Sequence, residues 1–147
     1  MDEKSVPRIV MGLKVNFENL TAKNSLVIYE EPDEKFVVTV ESTSDGEHAY
    51  VNSAGISSNE IFLIESLTVS QLRDRQPNVM YKIDHHPQIG FICMINNDPW
   101  NNNAIYMVGA KREFREPEKW KMLLGSSNDR YITRMEVFHY YLVKYCH

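Results

Sequence analysis

Residues 80–91, MYKIDHHPQIGF, hold the densest chemistry in the chain: Asp84, His85 and His86 follow an apolar stretch and run into Pro87. A carboxylate and two imidazoles can ligate a divalent metal, and a metal can activate water for hydrolysis. The same letters also make a hairpin turn. Proline donates nothing to a strand ladder, and an aspartate accepts backbone N–H groups two residues ahead. Adjacent histidines in extended backbone point to opposite faces, so they do not readily share one ion. The turn is therefore the expectation, with Asp84, His85 and His86 as weak metal candidates and no cofactor. The other donors, His48, Cys93, His139, Cys146 and His147, lack the close pairing that structural zinc sites use.

The six residues KIDHHP resemble the Asp-His-His signature of the DHH phosphoesterase family. In that family the Asp and one His bind a divalent metal, which activates water against a phosphodiester. The resemblance implies a metal-dependent hydrolase at Asp84-His85-His86, the third functional reading here. The acidic ligands which that family carries in a D-x-D motif on another strand have no counterpart. The nearest pair, Asp45-Gly46, lies in TSDGEHAY without a second aspartate. Nucleophile-elbow, P-loop and dinucleotide-binding motifs are absent as well. Cys93 lies in IGFICMI and reads as a small core residue rather than an activated thiolate. No catalytic residue is assigned, and a non-enzyme is expected.

The elements that must position these groups read as β structure. In PRIVMGLKVNFENL, Ile9, Met11, Leu13, Val15 and Phe17 alternate with Arg8, Val10, Gly12, Lys14 and Asn16, the period of a half-buried strand. Strands are expected at 25–30 and 35–43, joined as a hairpin by EPDE, then at 48–52, 60–67, 79–84, 88–95 and 104–110. TVSQLRDRQP, with Thr68 or Ser70 as N-cap and Pro77 as stop, predicts a short helix. EPEKWKMLLG predicts a second, with Pro117 in the first turn and Gly125 at its end. The segment RYITRMEVFHYYLVKYCH predicts one long strand, with a helix as the competing assignment. About nine successive strands without helical crossovers imply a mainly β domain with two short helices. A β-sandwich or curved antiparallel barrel is the leading architecture, and an α+β fold is second.

The 147 residues suit one domain, 1–147, with residues 1–5 as a flexible start. The formal net charge is −4, which disfavours a protein built mainly to hold nucleic acid. Two distant cysteines, a charged N-terminus and no long apolar window point to an intracellular protein in the cytoplasm or nucleus, away from membranes. The leading functional reading is a non-catalytic binding or scaffolding module acting through protein–protein contacts in a larger assembly. Its partner would be another subunit or a second copy. Trp100 in NNDPWNNN and the aromatics Phe138, Tyr140, Tyr141 and Tyr145 are the candidate contacts, because buried aromatic anchors dominate interfaces. The alternative is RNA or single-stranded nucleic acid on Lys111, Arg112, Phe114, Arg115, Lys119, Trp120 and Lys121, where bases stack and cations meet phosphates.

Overall fold

A computed structural model describes residues 8–96, 102–109, 116–127, 129, 131–138 and 142–146, with residue 145 described by its backbone alone. Among them fourteen strands follow in chain order. They are β1 (Ile9–Gly12), β2 (Val15–Asn16), β3 (Thr21–Ala22), β4 (Leu26–Glu30), β5 (Val37–Ser42), β6 (Ala49–Ala54) and β7 (Asn59–Glu65). β8 (Thr68–Gln71), β9 (Tyr81–His86), β10 (Gly90–Ile95), β11 (Ala104–Gly109), β12 (Lys121–Leu124), β13 (Ile132–Val137) and β14 (Leu142–Cys146) complete the set. Every pairing is antiparallel. Two four-stranded meanders, β5-β6-β7-β8 and β9-β10-β11-β12, form the body, and β1-β4, β2-β3 and β13-β14 are two-stranded.

The mainly β expectation holds, and among the described residues no sheet closes into a barrel. The two helices do not form. Residues 68–71 are β8, and they pair with β7 around a tight turn at Ser66-Leu67, where both residues have positive φ. The second helix shrinks to one 3-10 turn at Pro117–Lys119, and Lys121–Leu124 continues as a strand. The long C-terminal strand is instead a hairpin, β13 returning as β14. EPDE does not close a hairpin either: β4 pairs back with β1, and β5 forward with β6. Residues 31–36 thus cross from one sheet to the next.

Side chains from alternate strand positions fill three apolar layers. The first meander meets the second through Tyr50, Ile61 and Leu63 on one side and Tyr81, Ile83, Phe91 and Cys93 on the other. The other face of the first meander, with Val38 and Val51, packs against Val10, Ile28 and Tyr29 of β1-β4. The other face of the second, with Ile92, Met94 and Ile105, packs against Ile132, Met135 and Leu142 of β13-β14. Both meanders are therefore covered on both faces, which explains why β10 is buried at all six positions.

The joint between the meanders is also polar. Asn59, 2% exposed on β7, copies a strand partner. Its side-chain oxygen accepts the Tyr81 N–H (2.8 Å), and its nitrogen donates to the Tyr81 carbonyl (2.8 Å). The Tyr81 phenol in turn accepts the Ile61 N–H at 2.7 Å. A second network ties the 31–36 crossing down. Glu31 accepts from Tyr29 Oη (2.7 Å), Ser53 Oγ (2.6 Å) and the Asp33 N–H (3.1 Å). Arg75 lies 3.6 Å from Glu31 and 3.5 Å from Glu60, with its guanidinium 3.5 Å above the Phe36 ring. A Cβ at Gly55 would sit 2.8 Å from that ring, so only glycine leaves Phe36 its place.

Two outcomes follow from these networks. Asn59→Ala strands a buried N–H and C=O and should cost about 2 kcal/mol, whereas Ile56→Ala, at a fully exposed position, should stay within about 0.5 kcal/mol. Urea unfolding of the two variants checks this, and equal midpoints would refute the role of the Asn59 bridge. The second concerns acid. Burial raises the Glu31 carboxyl, but bonds from Ser53, Tyr29 and Asp33 and the Arg75 charge outweigh it and hold it below its ordinary value of 4.5. A group lowered in the folded state stabilises above its unfolded value and loses that contribution as pH falls toward its folded value. Unfolding midpoints should therefore decline below about pH 4.5 in the wild type and decline less in Glu31→Gln, which starts from lower stability at pH 7.

Candidate functional site

The residues flanking Pro87 do form a hairpin, with β9 and β10 paired from Gly90 opposite His86 to Ile95 opposite Tyr81. Its closure differs from the expectation at one residue. The N–H two residues ahead is accepted by His86, whose Nδ1 takes the Gln88 N–H at 3.1 Å, while Asp84 Oδ1 accepts only the adjacent His85 N–H locally, at 2.8 Å. Asp84 also reaches forty residues back to the β5–β6 turn. It accepts the Ser44 N–H at 2.9 Å and the Ser44 hydroxyl.

That turn, residues 43–48, is built to present side chains. Thr43 N–H donates to the His48 carbonyl and Gly46 N–H to the Thr43 carbonyl, both at 2.9 Å, with Gly46 at φ +73°. Asp45 is fixed from within: Oδ1 accepts from Thr43 Oγ1 (2.6 Å) and the Glu47 N–H (3.1 Å). Its second oxygen, Oδ2, then meets His85 Nδ1 at 2.5 Å, and Glu47 Oε2 stands 3.7 Å from the same nitrogen. The His48 ring lies edge-on to His85 with centroids 4.2 Å apart, and both rest on Phe91 at 4.8 and 4.7 Å. Burial raises the Asp45 carboxyl, but the Thr43, His85 and Glu47 bonds dominate and bring it to about 2. Beside this cluster a cleft of about 240 Å³ opens between Asp45, His85, Pro87, Val137 and Phe138.

Of the sequence candidates, His85 and His86 are both buried and Phe138 is exposed at the cleft. Tyr145 is placed by its backbone in β14, opposite Arg134. Trp100, Tyr140, Tyr141, Lys111, Arg112, Phe114 and Arg115 lie outside the described residues. Lys119 pairs with Glu116 at 3.1 Å, and Trp120 packs toward Tyr106 with the Arg73 guanidinium 5.8 Å above its ring. Lys121 is exposed on β12. Cys93 is fully buried, and burial pushes its thiol up, as suits a packing residue. Asp45, Glu47 and His48 are the site residues that sequence reasoning did not connect to His85. Their signal was the close run of carboxylates and imidazole in SDGEH.

The N-terminal sheet holds a second surprise. Ile9 and Met11, from the apolar side of the alternation, face outward on β1 with about half their surface exposed, while Val10 and Gly12 face in; Leu13, just past β1, is half exposed beside Ile64 and Leu67. Gly12 is needed there, because a Cβ would lie 2.7 Å from Leu67 Cδ2. Val27, opposite Met11 on β4, is also exposed. The outward face of β13-β14 is different in kind, carrying the Arg134–Glu136 ion pair at 2.7 Å.

No protein-family model matches the chain, and no curated protein sequence does. Solved structures do. Oligopeptidase B from Trypanosoma brucei, with covalently bound antipain in its closed form, superposes with a TM-score of 0.71 at 22% identity over 84% of this chain and 18% of that one. Oligopeptidase B from Leishmania major superposes with a TM-score of 0.72 at 17% identity over 95% of this chain and 22% of that one. At such identity the likeness is one of fold. The chain spans about a fifth of the length of these structures, so the shared architecture is a part of a larger body in both.

Proposed function

We propose that the chain is a non-catalytic binding and scaffolding module that works by protein–protein contact inside a larger assembly, with the outer face of β1-β4 as its docking surface. The observation that carries this is the exposure of Ile9, Met11 and Val27 on that face. A two-sided strand pair with apolar residues on both sides is the composition of an inner layer, and exposed apolar patches of this kind mark interaction sites. Each meander in the body is covered on both faces, so β1-β4 is an apolar layer in a stack whose next member is missing from this chain's described residues. The oligopeptidase B structures support the same reading, since the similar region there is accompanied by about four times as much further chain. The partner that fits is another β segment or subunit with a complementary apolar face. The fold is a stack of sheets related as in a sandwich.

The isolated chain should take up a hydrophobic dye and run larger than one copy in light scattering at high concentration. Met11→Glu combined with Val27→Glu should abolish both, while shifting the unfolding free energy by less than about 1 kcal/mol because both side chains are exposed. A wild-type chain that is strictly monomeric and binds no dye would refute the docking face.

A further inference from the structure

The cluster at the joint of the two meanders has the donors of a metal site. Glu47, His48 and His85 each offer one ligand atom, and these atoms lie within 4.8 Å of one another. Three points so spaced all fall within about 2.8 Å of a common centre, and tetrahedral zinc takes nitrogen and oxygen at about 2.0–2.2 Å. Closing that gap needs only small rotations, and Glu47, whose side chain is half exposed, is free to make them. Asp45 stands next to them, its Oδ2 2.5 Å from His85 Nδ1, so the donor set of two imidazoles and one carboxylate has a second carboxylate bonded to one of its imidazoles.

We propose that this cluster binds one divalent cation of the zinc class, held by His48, His85 and Glu47, with Asp45 bonded to His85 and orienting its ring. The set is hard-to-borderline nitrogen and oxygen, which suits zinc over calcium or magnesium. Two features preorganise it. The imidazoles are clamped against Phe91, and the turn that carries Glu47 and His48 is tied to β9 through Ser44 and Asp84. The cation's role is structural, because the ligands come from both meanders: Glu47 and His48 lie at the β5–β6 turn and His85 on β9. The ion would staple one to the other.

The test uses the whole 147-residue chain with zinc chloride as the only added ligand, in competition with a chromophoric chelator. Cobalt(II) absorption is read in parallel for tetrahedral geometry. One equivalent should bind, with a rise in melting temperature and a four-coordinate cobalt spectrum. Glu47→Gln and His48→Ala should each weaken binding by about tenfold or more and lose the melting shift, whereas Cys146→Ser should bind as the wild type does. Should His48→Ala fail to fold, Glu47→Gln, altered at an exposed side chain, carries the same test. Substoichiometric or unsaturable zinc, unchanged affinity in Glu47→Gln, or loss of binding in Cys146→Ser would each overturn the assignment.

Discussion

The bridge from Asn59 to the backbone of Tyr81 is the constraint on which the arrangement of the two meanders depends. It replaces one rung of a strand ladder by a side chain, joining the start of β7 in the first meander to the start of β9 in the second. Apolar contact alone would let two flat sheets slide, because burial is non-directional. A buried amide with fixed partners sets one register, since any other leaves polar groups dry and unpaired. With that register fixed, Tyr81 reaches Ile61, Phe91 sits under the histidines, and the 43–48 turn falls opposite the end of β9. The candidate site is thus a consequence of the sheet packing rather than of any local motif.

Much of the strand layout was legible from alternation. Residues 49–54, 59–65, 90–95 and 104–109 lie close to where the apolar period placed them, because both faces or one clear face are buried. The misreadings share a physical cause. TVSQL and KMLLG are short enough that Pro and Gly punctuation suits a helix or a strand equally, and the neighbouring strand edge decided in favour of the ladder. EPDE has turn residues, but Glu31 finds Ser53 and Arg75 across the sheet, which no local rule reveals. In Ile9–Gly12 the alternation was read correctly, yet which side faces inward depends on Leu67 filling the space beside Gly12.

For the site, the density of donors in DHH was visible and their partners were not. Two residues forty apart meet only because their sheets stack, and periodicity within a strand carries no information about the neighbouring sheet. Asp84 and His86, which stand beside His85 in the chain, are occupied elsewhere, one with Ser44 and the other with Gln88. The resemblance to a phosphoesterase signature ends there too, since the body around it consists of antiparallel sheets.

Within each meander every strand is bonded only to its immediate predecessor and successor in the chain. Such a unit closes no long loops, so the entropy lost in assembling it is small and its strands can add in order from the N-terminal side. A protein lengthened by repeating that step would grow as it is synthesised, each new sheet finding a finished surface to settle on.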